Sequence, residues 1–113
     1  MGYTKENPNM GSKSTTSINI DINDKRYNGE IIIHYSPDKF IMNNLALVNS
    51  VKALLEGFEQ EEEVLTKICD SLVDILKPYE LYATLDVNYI DEGYSVQVDY
   101  EFSKTGLSKL KGE

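Results

Sequence analysis

Three stretches of this chain alternate apolar and polar residues with a period of two, a fourth stretch of Ile31-Ile32-Ile33-His34-Tyr35 follows the first of them, and this pattern constrains the fold more than any other feature. Successive side chains of a strand point to opposite faces, so each stretch predicts a strand with one apolar and one polar face. The stretches form two pairs, residues 18–24 with 31–35 and residues 81–89 with 94–102. The sequence between the pairs repeats its apolar residues every three to four positions, which predicts two amphipathic helices.

The first pair of strands is separated by a strong turn signal. Asn28-Gly29 is typical of a two-residue hairpin turn because both residues tolerate positive φ. A turn at this point places Ile22 opposite Tyr35. Opposed residues share a face, so the sequence predicts one continuous apolar surface, formed by Ile18, Ile20, Ile22, Ile31, Ile33 and Tyr35.

The two helices have recognisable ends. Asn43 or Asn44 can cap the first helix, and Gly57 marks its end. The second helix begins near residues 61–63, where three carboxylates favour the positive end of the helix dipole, and Pro78 stops it. The predicted core stripes are Leu47, Val48, Val51, Leu54, Leu55 and Phe58 in the first helix, and Leu65, Ile68, Cys69, Leu72, Ile75 and Leu76 in the second.

These elements predict an α+β domain in the order ββααββ, with a four-stranded antiparallel sheet and two helices on its apolar face. The other face of the sheet is polar and charged. We expect the domain to span residues 17–103, after a flexible N-terminal arm of residues 1–16 and before a polar tail of residues 104–113. The outer strands are long, and unprotected edges of this length favour pairing with another chain, either in a homo-oligomer formed through the sheet edges or with a partner protein.

The charge balance limits the partners. The net charge is −8, and the excess of acid lies in residues 41–102. Such a surface repels phosphate, so we expect neither direct nucleic-acid binding nor binding to an anionic membrane, whereas a basic protein partner is compatible with it. The N-terminus has no apolar run typical of a signal peptide or a membrane span, so the expected location is the cytoplasm.

The residues that usually perform catalysis are scarce. The chain has one histidine, His34, and one cysteine, Cys69. The predicted turn places His34 opposite Asn23, without a recognisable nucleophile beside it. Cys69 lies on the core stripe of the second helix, which is typical of a buried apolar residue. One histidine and one cysteine do not make a usual zinc site, and no glycine-rich phosphate loop occurs, so we expect no metal, no cofactor and no catalytic centre.

Acidic residues are the remaining candidates for a site. They are densest around the start of the second helix, where they form a solvated helix start, a patch that meets a basic protein, or a carboxylate that accepts hydrogen bonds from the ring N–H groups of a small ligand. The candidate partner-binding residues are Glu56, Glu59, Glu61, Glu62, Glu63, Asp91, Glu92, Asp99 and Glu101.

The order ββααββ resembles the tunnelling fold (T-fold), and within it the 7-cyano-7-deazaguanine (nitrile) reductases. Residues 36–39, Ser-Pro-Asp-Lys, look like the ending of their second strand, and residues 68–78 resemble their second helix. Glu92-Gly93-Tyr94 lies where their final hairpin turns. The resemblance covers residues 30–102 and implies an oligomer with ligand sites between subunits.

The chain departs from these reductases at their catalytic positions. Their nucleophilic cysteine and catalytic aspartate precede the second strand, and the corresponding residues 17–30 contain no cysteine. Residues 43–46 keep nothing of their cofactor motif. Only the glutamate that anchors the purine-like ring has a counterpart, Glu62, with Glu61 or Glu63 in its place if the register shifts. The resemblance therefore implies the fold without the chemistry of the family.

Two hypotheses of function follow. The first is a non-enzymatic interaction module whose acidic surface imitates the charge of DNA toward a basic, nucleic-acid-binding protein; a small, acidic chain rich in Asn, Ile and Lys is typical of phage and mobile-element inhibitors of host defence, such as those that block CRISPR effectors. The second is an oligomeric T-fold binder of a purine-like or pterin-like molecule, or a diverged relative of the nitrile reductases. We rank the interaction module ahead of the small-molecule binder, and the diverged enzyme last, because the sequence offers no base or nucleophile.

Overall fold

The computed structural model describes residues 4–8 and 14–104. Within them, the long strands and the two helices occur where the sequence predicts them, and two short strands are added. None of the described helices combines the length and apolar character that crossing a membrane requires. The elements are β1 (Thr4–Glu6), β2 (Thr16–Asn23), β3 (Asn28–Ser36), β4 (Phe40–Met42), α1 (Asn44–Leu55), α2 (Glu61–Leu76), β5 (Glu80–Tyr89) and β6 (Tyr94–Ser103).

The four long strands form one antiparallel sheet in the order β2-β3-β5-β6. β3 and β5 lie in the middle and pair along their whole length, so the edges of the sheet are β2 and β6. The inward-facing residues of the two middle strands are buried, since Ile31, Ile33, Ala83 and Leu85 are all 0% exposed. This arrangement confirms the predicted four-stranded sheet with one apolar face.

The turn between β2 and β3 does not lie at Asn28-Gly29, and that prediction is wrong. Asn28 is the first residue of β3 and pairs with Asn23, so the chain reverses through residues 24–27. The Asp24 carboxylate accepts a hydrogen bond from the backbone N–H of Arg26 at 3.0 Å, and this bond stabilises the loop. The same bond is the main reason that the pKa of Asp24 lies below its ordinary value.

The predicted apolar surface is nevertheless confirmed. In the observed register Ile20 lies opposite Ile31, and Ile18 lies opposite Ile33. The true partner of every β2 residue lies an even number of positions from the predicted one, and such a shift leaves each side chain on its original face. The predicted assignment of residues to the two faces is therefore correct although the predicted turn is wrong. A register shift by an odd number of residues would have placed every side chain of the strand on the other face.

The helices begin and end where the sequence predicts. The Asn43 side chain caps α1 by accepting a hydrogen bond from the backbone N–H of Ala46 at 3.1 Å. Gly57, just beyond α1, has a φ of +68°, and α2 ends at Leu76 before Pro78. The residues that the helices bury against the sheet are Leu47, Val51, Leu55, Val64, Leu65, Ile68, Cys69, Leu72 and Leu76.

The sequence did not predict the second, two-stranded sheet of β1 and β4. In it Lys5 pairs with Ile41, and the buried side chain of Asn7 donates to the carbonyl oxygen of Asp38 at 2.9 Å. The element order therefore contains two strands more than ββααββ. These strands were not predicted, because runs of three residues are too short to show a periodicity. β1 lies inside the segment predicted as an arm. Residues 1–3, 9–13 and 105–113, which include nearly all of the predicted tail, lie outside the described residues.

Candidate functional site

One face of the four-stranded sheet is not covered by either helix, and we call it the open face. It presents the residues that alternate with the core residues on β2, β3, β5 and β6. Its acidic members come from all four strands. They are Asp21, Glu30, Glu80, Asp86, Asp99 and Glu101.

Three of these carboxylates lie side by side across the sheet, and we call them the acidic row. Asp21 on β2 lies directly opposite Glu30 on β3, which lies directly opposite Asp86 on β5. Directly opposed side chains of an antiparallel pair have Cβ atoms about 4.5–5.5 Å apart. Like charges at this separation destabilise a sheet, so the acidic row is an electrostatic cost of the fold.

No cation balances this charge in the part of the sheet that the structure describes. The four strands contain no lysine or arginine. The ion pairs among the described residues join Arg26 to Asp24 and Lys104 to Asp38, and neither involves a carboxylate of the open face. Along β5 the acids extend from Glu80 to Asp86, which is about 20 Å at about 3.4 Å per residue. Across the sheet they extend over all four strands, which are spaced about 4.8 Å apart.

The remaining open-face acids make few internal hydrogen bonds. Thr84 donates its hydroxyl hydrogen to the Asp99 carboxylate at 2.9 Å. Beside the acidic row, Asn23, Asn28 and Asn88 form a neutral row, and a shallow depression of about 410 Å³ lies between the two rows. Such a depression can receive the head of a lysine or arginine side chain, whose N–H groups would meet both carboxylate and amide oxygens.

His34 lies on the open face and has a partner that the sequence did not reveal. It lies opposite Ser17, rather than opposite Asn23 as predicted, and the Ser17 Oγ is 2.6 Å from the His34 Nδ1. The His34 ring also packs edge-on against Tyr82, with centroids 6.1 Å apart. The pair was missed because it depends on the register of β2, which the predicted turn displaced.

The predicted acidic candidates do not form a single patch. Asp99 and Glu101 belong to the open face, whereas Asp91 and Glu92 lie in the loop between β5 and β6. Glu56 and Glu59 follow the end of α1, with the first turn of α2 close behind them in the chain. Glu56 lines a depression at the edge of the sheet together with Asp21, whereas the carboxylates of residues 61–63 belong to α2 and not to the open face.

Glu61, in the first turn of α2, is buried and engaged. It is 8% exposed and accepts a hydrogen bond from the Tyr89 hydroxyl. The Tyr89 ring stacks on Tyr94 at 4.9 Å and lies edge-on to Tyr27 at 5.6 Å. Burial, reinforced by the hydrogen bond to Glu61, raises the pKa of Tyr89 well above its ordinary value. The hydrogen bond between Glu61 and Tyr89 thus joins the start of α2 to the end of β5.

Glu62 and Glu63 are exposed. Glu62 accepts a hydrogen bond from its own backbone N–H and another from the Gln60 side chain at 3.1 Å, and these bonds hold its pKa below the ordinary value. The bonds from Gln60 and Tyr89 each occupy one acceptor position of these carboxylates, so a purine-like ligand held by Glu62 or Glu61 would share the carboxylate with them. No contact among the described residues tests the ligand-binding hypothesis, which stays a prediction.

Cys69 is buried in the core, where burial raises the pKa of its thiol to about 12. Such a thiol is almost entirely protonated at neutral pH and is a poor nucleophile. No group of three or more His, Cys, Asp or Glu side chains within residues 4–8 and 14–104 is arranged to hold a metal ion.

Four acids of the open face were not among the predicted candidates, namely Asp21, Glu30, Glu80 and Asp86. The alternation pattern places each of them on the polar face of its strand, and that was the available signal. The four acids were not predicted because the candidates were chosen where acidic residues are consecutive in the sequence, as at residues 61–63. Strand pairing instead brings together acidic residues that lie far apart in the sequence.

No protein-family model matches the chain, and no curated protein matches it significantly.

Proposed function

We propose that the open face docks a basic, nucleic-acid-binding protein by imitating the charge of nucleic acid, and so inhibits it. The observation that carries this proposal is the acidic row, in which Asp21, Glu30 and Asp86 are directly opposed on neighbouring strands without a counter-charge in the described sheet. Inhibition of a host defence protein by a phage or mobile element is the setting that suits such a module.

Electrostatics supports this proposal. Opposed like charges lower the stability of the free protein, and a partner that places lysine or arginine between them removes that repulsion. Part of the binding free energy thus comes from relief of repulsion within the acidic row. A residue pattern that costs stability and benefits binding is typical of a functional surface.

The dimensions of the open face also fit. Duplex DNA carries one negative charge per 1.7 Å of its axis, and a groove that binds it presents many lysine and arginine side chains. Carboxylates spread over about 20 Å of sheet can contact several of these side chains at once. Binding of this kind weakens as salt rises, because screening acts on each charge pair.

The test is competition with DNA for basic nucleic-acid-binding effectors. We would measure the displacement of labelled single-stranded DNA from a panel of RNA-guided nucleases, with wild type and with the triple variant Asp21→Asn/Glu30→Gln/Asp86→Asn. The matched control, Glu59→Gln/Asp91→Asn/Glu92→Gln, removes the same charge from surfaces outside the open face. We expect wild type and control to displace the DNA from at least one effector, and the open-face variant to lose most of that activity.

Two results would count against the proposal. One is equal loss in the open-face variant and the control, which would show dependence on net charge alone. The other is displacement that does not change with ionic strength, since a charge-driven interface must weaken in salt.

A further inference from the structure

Among the described residues, no strand covers the β6 edge of the sheet. β6 pairs with β5 over all ten of its residues without a bulge, and no other described strand pairs with it. It contains neither proline nor lysine, two residues that natural proteins use to protect edges. Over residues 94–102, a long, regular edge of this kind offers a row of backbone N–H and C=O groups to another strand.

β6 leaves its apolar row less covered than the other edge does. On β2 the inward-facing Ile20 and Ile22 are only 3% and 9% exposed, and Ile18 is partly exposed. The inward-facing residues of β6 are all partly or largely exposed, although α2 packs beside them. They are Tyr94, Val96, Val98, Tyr100 and Phe102. Most of the partly covered apolar surface of the two edges thus lies on β6.

We propose that β6 pairs antiparallel with β6 of a second copy, around a two-fold axis at Val98. Two registers overlap the strands almost completely, with the axis at Val98 (residues 94–102) or at Asp99 (residues 95–103). An axis at Asp99 places two Asp99 carboxylates opposite each other. An axis at Val98 places Asp99 opposite Gln97 and Glu101 opposite Ser95, so no two acids are opposed and like charges select this register.

The apolar row is complementary to itself in the same register. Val98 lies opposite Val98 of the second copy, Val96 lies opposite Tyr100, and Tyr94 lies opposite Phe102. Aromatic residues opposite β-branched residues stabilise antiparallel pairs. The product is a continuous eight-stranded sheet with two open faces side by side. This pairing does not depend on the proposed function.

Cysteine cross-linking tests the register. In a Cys69→Ala background, Val98→Cys is opposite itself in the proposed dimer, whereas Ser95→Cys and Glu101→Cys are opposite each other, and all three variants keep Asp99. We expect Val98→Cys alone to form a disulfide dimer on mild oxidation. Ser95→Cys and Glu101→Cys should cross-link when mixed and remain largely uncross-linked when separate. Circular dichroism would confirm that each variant is folded.

Native mass spectrometry of the unmodified protein is the second measurement. We expect a dimer whose fraction rises with salt, because screening reduces repulsion between two acidic chains, in contrast to the binding of a basic partner. A monomer at all concentrations would overturn the proposal. Efficient cross-linking of Gln97→Cys mixed with Glu101→Cys, which are opposite each other when the axis lies at Asp99, with none for Val98→Cys, would overturn it as well.

Discussion

A Cβ atom added to Gly29 of β3 would lie 1.9 Å from the backbone carbonyl oxygen of Asp86 in β5. The two middle strands approach each other here more closely than a side chain permits. Gly29 is therefore required for strand packing, not for the turn that the Asn-Gly pair suggests. The approach occurs next to the acidic row, since Glu30 pairs with Asp86.

Gly29→Ala should therefore destabilise the protein by about 1–3 kcal/mol, the usual cost of overpacking. The obstacle is backbone and cannot rotate away. Urea unfolding followed by far-UV circular dichroism measures the effect. Gly57→Asn is the control, because Gly57 has open space around it and asparagine tolerates its φ of +68°. Equal stability of Gly29→Ala and wild type would show that β3 and β5 separate easily at this point.

Asp86→Asn should stabilise the free protein, by roughly 0.2–1 kcal/mol at low ionic strength, because it removes the like-charge opposition with Glu30. The gain in stability should be smaller at high salt, because salt already screens the repulsion between Glu30 and Asp86 that the substitution removes. Asp91→Asn makes the same charge change in the loop beyond β5 and should have a smaller effect. A loss of stability in Asp86→Asn would show that its carboxylate is compensated within the fold.

Tyr100→Phe should lower the free energy of unfolding by about 1 kcal/mol. The Tyr100 hydroxyl donates to the Asp70 carboxylate at 2.9 Å, which joins β6 to α2. Tyr94→Phe is the control, because the stacking of the Tyr94 ring on Tyr89 does not need its hydroxyl. Chemical denaturation of both variants measures the difference in their free energies of unfolding. Equal values would mean that the hydrogen bond to Asp70 is no stronger than the hydrogen bonds that the same groups make with water in the unfolded chain.

Stability should fall as the pH rises from about 9 to 12. Burial raises the pKa of the Cys69 thiol from 9.0 to about 12, and burial with the hydrogen bond to Asp70 raises that of Tyr100 from 10.0 to about 12. In this range the unfolded chain loses protons that the folded chain keeps, so alkali favours unfolding. Cys69→Ala should reduce the slope of stability against pH. An unchanged slope in both Cys69→Ala and Tyr100→Phe would exclude these groups as its origin.

Guanine, 7-deazaguanine and pterin, each added up to its solubility limit, should not raise the Tm. Glu61 is buried and accepts a hydrogen bond from Tyr89, whereas Glu62 is exposed, so neither carboxylate stands at the base of an enclosed site for a ring. Differential scanning fluorimetry measures the shift. A rise in Tm that disappears in Glu62→Gln, and persists in Glu63→Gln, would instead favour the purine-binding hypothesis.

The type of each long element, and the face that each of its residues occupies, can be read from the amino-acid sequence without the structure. The alternation along β5 places Leu85 in the core and Asp86 on the opposite face, whatever strand lies beside them. The Asn43 cap and the stop at Pro78 were likewise readable, because caps and breakers act on neighbouring residues. These properties depend on short-range geometry, which a sequence displays directly.

Which residues of different strands lie opposite each other depends on the folded chain as a whole. The loop at residues 24–27 sets the register that brings Ser17 to His34 and Asp21 to Glu30. β3 then pairs with β5, although two helices separate these strands in the sequence, and this pairing adds Asp86 to the acidic row. Contacts of this kind arise from the packing of whole strands over a shared core, and an even shift in register leaves the apolar pattern unchanged, so the pattern cannot specify them.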